Sequence, residues 1–185
     1  MVVLKIIPGE IITSDGFFEL LRETSQETRL NWTKYIEARL SKWEELMPIL
    51  NPSLPNIVFT ASNSNRKLTI EPSRVPYDRY QPRSQYPVRF RIPPTTLSGL
   101  SQRDCVIRAM RFALGSLIFM IMTGTPPFEE LDDGAVEKEY KRGHYPGDVI
   151  YLQERIMIEV LQYWSREFGE AWLHISGCES LVYFP

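Results

Sequence analysis

Between Arg111 and Phe128 the chain reads RFALGSLIFMIMTGTPPF, an apolar run closed by Gly124 and the stop Pro126-Pro127-Phe128. No other stretch limits the fold as strongly, because a helix that is apolar all round must be wrapped by protein or by lipid. Residues 112–122 are apolar but for Gly115 and Ser116, and they fall short of the roughly 20 residues that cross a bilayer. A helix buried at the centre of a globular core is therefore expected, with no membrane association. Ser101 or Asp104 is placed to cap its start, and Gly124 to end it.

Periodicity supplies the elements around this helix. Residues Val2 to Ile7 read as a strand, Phe17 to Glu23 as a short helix, and Gln26 to Met47 as a long amphipathic helix with Trp32, Ile36, Leu40, Trp43 and Met47 on one face. Pro48 ends it. Ile57 to Ala61 and Lys67 to Glu71 flank the polar SNSNR and read as a hairpin. After the central helix, Asp132 or Asp133 opens a helix through Lys141, and a last helix covers Val149 to Phe168. The apolar tail, residues 171–185, is expected to pack back onto the body. The fold class expected is mainly α, with one short β-hairpin. All 185 residues are assigned to a single domain: residues 1–70, an Arg/Pro-rich loop over 71–95, a helical core over 96–170, and the tail.

Composition narrows the function classes. A net charge of −2 gives no global pull toward nucleic acid or anionic lipid, so no nucleic-acid partner is expected. The start, MVVLKIIPGEIITSDG, has neither a basic leader nor a small-residue cleavage site, and the two cysteines, Cys105 and Cys178, suit a reducing compartment. A cytoplasmic location follows as the expectation. Neither His144 nor His174 lies in a Cys/His cluster with ligand spacing, so no metal or other cofactor is expected.

The central run resembles the helix at the heart of the protein-kinase C-terminal lobe. Phe112, Ala113, Leu114, Gly115, Phe119, Gly124, Pro127 and Phe128 occupy places of the pattern D-x-W-A-L-G-x-x-x-Y-E-x-x-x-G-x-x-P-F. Upstream, FRIPPTTL resembles the end of an activation segment, and PNIVFTASNSNRKLTI resembles the stretch that follows a catalytic loop. The resemblance covers residues 1–168 and implies a kinase-like C-terminal lobe without its N-terminal lobe. It puts Asn51 at the place of the catalytic base, Asn56 at that of a metal-binding asparagine, and Ile70-Glu71-Pro72 at that of the metal-binding triplet, where Glu71 can take the aspartate position if the hairpin is one residue longer.

Those departures remove phosphoryl transfer. The reaction asks for a glycine-rich cover, a lysine paired with a glutamate, an aspartate base and an aspartate on magnesium. An amide such as Asn51 is no base near neutral pH. Met110 and Thr95 stand where the family carries an aspartate and a glutamate that tie the lobe together. The resemblance thus implies a pseudokinase-like chain that is not an active protein kinase.

Two functions from different classes remain. The first is a catalytically dead interaction module that binds a protein partner or a second copy of itself. The second is a small-molecule enzyme, a cyclase or isomerase of biosynthetic metabolism, that reuses the lobe as a pocket for a small apolar ligand. For either, the expected surface is the floor that a missing lobe would leave, Ile57, Phe59, Leu68 and Ile70, together with the loop residues Tyr77, Arg79, Tyr80, Arg83, Tyr86, Arg89 and Arg91. Within that loop the plainer expectation is that the aromatics pin it to the body and the arginines are solvated.

Overall fold

A computed structural model describes residues 1–46, 53–62, 65–71 and 73–165. The chain opens with strands β1 (Val2–Ile7) and β2 (Glu10–Thr13), then helices α1 (Phe17–Glu23) and α2 (Gln26–Leu46), then β3 (Asn56–Ala61) and β4 (Arg66–Glu71). After an irregular segment come α3 (Gln102–Thr123), α4 (Asp133–Lys141) and α5 (Glu154–Trp164). Asn51, Met47, Pro48 and the tail, residues 171–185, lie outside the described residues.

The mainly α expectation is corrected by the sheet. β1 to β4 join in one four-stranded antiparallel sheet, ordered β2-β1-β3-β4, and the fold is mixed α and β. Two pairings produce this. The strand β2 (EIIT) has two adjacent isoleucines and no apolar alternation, and it gains its place by pairing with β1 across a turn at Gly9, where φ is +85°. β1 in turn pairs with β3, so the expected lone hairpin is the far half of a larger sheet.

Alternation then makes the sheet two-faced. Leu4, Ile6, Ile57, Phe59, Ala61 and Leu68 point inward and are buried. The Trp32 ring of α2 meets Phe59 with centroids 5.7 Å apart. Lys5, Ile12, Val58 and Thr69 share the other face, aligned across the four strands.

α3 is the hub, buried through its middle from Phe112 to Met122. Its caps follow the sequence: the Ser101 hydroxyl accepts from the Asp104 N–H at 3.2 Å, and Gly124 ends the helix at φ +86°. By length and composition this 22-residue helix would suffice to cross a membrane, but 83% of its apolar window is buried inside the fold. Asp132 caps α4 through Ala135 N–H at 2.9 Å. The last helix is shorter than the sequence reading. A 3-10 turn, Gly147–Tyr151, precedes α5, and Leu152 between them is extended with ψ 157°. That break lets Val149 and Ile156 both be buried.

α5 lies close against α3 because Gly115 leaves room. A methyl group there would come within 2.7 Å of Tyr163 Cβ. Into this contact Trp164 inserts, flanked by Phe119 at 5.4 Å and stacked on Tyr145 at 5.5 Å.

Candidate functional site

Two regions gather the residues singled out in the sequence. The first is the segment 73–100, folded as short 3-10 turns at Pro82–Ser84, Val88–Phe90 and Pro94–Leu97. Its arginines are mostly bonded to the body, against the expectation of solvated side chains. Arg89 donates to the carbonyls of Pro127, at 2.7 Å, Phe128, and Leu131, at 2.6 Å. Phe128 is a non-glycine residue at φ +53°, and Arg89 holds the turn around it. Arg79 donates to the Leu97 carbonyl at 2.8 Å and lies over the Tyr80 ring at 5.0 Å. Arg91 makes a long ion pair, 3.7 Å, with Glu137, which Lys141 also holds at 3.0 Å. The Lys141 hydrogen bond and both cations keep the Glu137 carboxyl below its usual range.

The tyrosines divide in the same way. Tyr86 is buried and donates to the Pro55 carbonyl at 2.6 Å; Tyr77 is buried with no hydrogen-bond partner for its hydroxyl among the described residues. Burial pushes both phenols above the ordinary tyrosine range. Tyr80 is exposed, and so is Arg83. Of the loop residues named from sequence, these two present the most open side chains.

An open cleft of about 340 Å³ lies where this segment meets the Gly9 turn and the start of α4. Arg83, Tyr86, Val88 and Arg91 line one side, Asp133 and Glu137 the other. The Gly9 N–H donates to the Gln85 carbonyl at 2.7 Å and fixes the turn against the segment. Its walls carry two cations and two anions, so it has no strong preference for either sign of charge.

The second region is the sheet. Ile57, Phe59 and Leu68 face the core with no solvent exposure, and Ile70 packs beside them. They form the underside of the sheet, covered by α2, and not an open floor. Exposed apolar side chains lie instead at the edge strand β2, where Ile12, on the outer face opposite Lys5, is 42% exposed and Ile11, on the inner face opposite Ile6, is 38% exposed. Val3, Ile7 and Val58 are half-buried on that outer face, beside Lys5 and Lys67. The sequence reading missed Ile11 and Ile12, although two adjacent isoleucines between a glutamate and a threonine were a signal.

Asn56 and Glu71 are cross-strand partners at one end of β3 and β4. One amide and one carboxylate fall short of a cation cage. Among the described residues no group of three or more His, Cys, Asp or Glu side chains is placed to hold a metal ion. Cys105 is buried on α3 and accepts a weak contact from Arg79 at 4.0 Å.

Comparison with protein-family models, with curated proteins and with solved structures finds no match to this chain.

Proposed function

We propose that this chain is a non-catalytic interaction module, related to the protein-kinase C-terminal lobe, that binds a protein partner or a second copy of itself through the outer face and free edge of its sheet. One observation carries the reading. The two adjacent isoleucines of β2, 38% and 42% exposed, lie on a strand at the end of the sheet that pairs only with β1 among the described residues. Large apolar side chains beside an open edge form a docking surface, because pairing buries them and satisfies the backbone together. The kinase-like run between Arg111 and Phe128 supports the ancestry, and the amide of Asn51 at the place of the base supports the lack of phosphoryl transfer. A cytoplasmic setting belongs to the same proposal.

Light scattering after size exclusion, on the wild type and on Ile12→Lys, tests it. The wild type is expected to self-associate or to hold a co-expressed partner, and the variant to lose that association with its melting temperature kept. Stabilisation by ATP with magnesium, or equal behaviour of the two proteins, overturns it. A small-molecule enzyme is the second reading, favoured by the cleft between Gly9, Tyr86 and Arg91. It calls for a ligand that protects Tyr86 and Val88 from hydrogen exchange.

A further inference from the structure

The charged groups around the cleft at the Gly9 turn are incompletely satisfied by the fold. Arg91 leaves the 3-10 turn Val88–Phe90 in an extended conformation, φ −107° and ψ 120°, and its side chain is only 17% exposed. A guanidinium has five N–H donors, and one covered to this extent ordinarily has several of them hydrogen-bonded. Arg91 makes no side-chain hydrogen bond among the described residues, and its one ion pair, to Glu137 at 3.7 Å, is beyond hydrogen-bond distance. Arg83, on the same wall, is exposed and has no side-chain hydrogen bond or ion pair among the described residues. Its contrast is Arg89, which reaches carbonyls of the body.

The opposite wall is acidic. Asp133 and Glu137 lie one turn apart on α4, with side chains 78% and 42% exposed. Arg89 approaches Asp133 at 3.8 Å, and Lys141 holds Glu137 at 3.0 Å. Between the walls is the space of about 340 Å³, with Pro87 and Val88 as its apolar part. An anion entering it meets carboxylates on α4, and a cation meets the two arginines; like charges set face to face disfavour both. A ligand that carries both charges close together satisfies both walls.

We propose that this cleft binds a free α-amino acid as its zwitterion, the carboxylate on Arg83 and Arg91, the ammonium on Asp133 and Glu137, and an apolar side chain against Pro87 and Val88. The two charges of an α-amino acid are joined through a single carbon, a spacing that suits an Arg91–Glu137 gap too wide to close by itself. The inference rests on the reading of this cleft as a ligand site and is independent of docking at β2.

Amide NMR of the full chain, titrated with L-leucine, tests it. N-acetyl-L-leucine, which keeps only the carboxylate, and L-leucinamide, which keeps only the ammonium, are the comparators. Saturable shifts are expected at Gly9, Val88 and Gly134 with leucine, and binding about tenfold or more weaker with either comparator, because each loses one charge-assisted contact. Arg83→Ala is expected to weaken leucine binding by a similar factor with its melting temperature kept, whereas Ile12→Lys keeps leucine binding whatever becomes of the sheet edge. No saturable shift with leucine, or unchanged binding in Arg83→Ala, overturns the proposal. Equal binding of N-acetyl-L-leucine overturns the zwitterion and leaves the cleft a ligand site for anions.

Discussion

The Trp164 indole N–H donates to the Ser116 hydroxyl at 3.0 Å, with both side chains buried. This explains a hydroxyl in the middle of an otherwise apolar helix: the largest ring of α5 brings a polar atom into the core, and α3 supplies its acceptor. Tyr145 closes the arrangement by donating to the Trp164 carbonyl at 3.1 Å. Ser116→Ala leaves the indole N–H without its partner and is expected to cost about 1–3 kcal/mol. Urea unfolding checks it, with a lower midpoint and an unchanged slope. An unchanged midpoint would mean that the indole has another acceptor.

One position away, the constraint is steric. Gly115→Ala sets a methyl group 2.7 Å from Tyr163 Cβ, inside any normal contact. The α3–α5 approach must then widen, at about 1–3 kcal/mol. Thermal unfolding measures this, and near-ultraviolet circular dichroism is expected to lose part of its tryptophan signal.

Arg89 and Arg83 separate a structural arginine from an exposed one. Arg89→Lys removes a planar fork that reaches three carbonyls, and a single ammonium cannot replace it. The expected loss is about 1.5–3 kcal/mol. Arg83→Ala is expected to stay within about 0.5 kcal/mol of the wild type. Denaturation of the two variants side by side decides; equal losses would contradict the division.

Acid lability is expected near α4. His144 Nδ1 lies 2.7 Å from Glu139 Oε2, and this contact first, with Arg142 after it, holds the Glu139 carboxyl below its usual 4.5. A lowered carboxyl stabilises the fold above its unfolded value and loses that contribution as pH falls through the folded one. Melting temperature is thus expected to drop below about pH 4.5 in the wild type, and less steeply in Glu139→Gln. Parallel acid profiles would remove Glu139 from the account.

Local signals in the sequence were reliable where the physics is local. The Ser101 cap, the Gly124 stop and the Asp132 cap each depend on neighbours within a turn, and each is found where the residues imply it. Sheet membership is different, because β2 has no alternation and is defined only by its pairing with β1. The strand faces were legible at Ile57, Phe59, Leu68 and Ile70 as one row; which side of that row is covered depends on α2, and the sequence reading chose the open side. The arginines were unreadable for another reason. Arg89 bonds to backbone carbonyls 38 to 42 residues away, and a carbonyl leaves no mark in a side-chain pattern.

The place of β1 has a consequence for how the chain must be handled. Although it comes first in sequence, β1 is an interior strand, bonded to β2 on one side and β3 on the other. Trimming the first thirteen residues, as a tag or a protease could, would turn β3 into a bare edge rich in isoleucine, valine and phenylalanine. Such an edge recruits strands from other molecules. A chain trimmed of β1 and β2 is therefore expected to aggregate more than the untrimmed one, which light scattering of the two would compare.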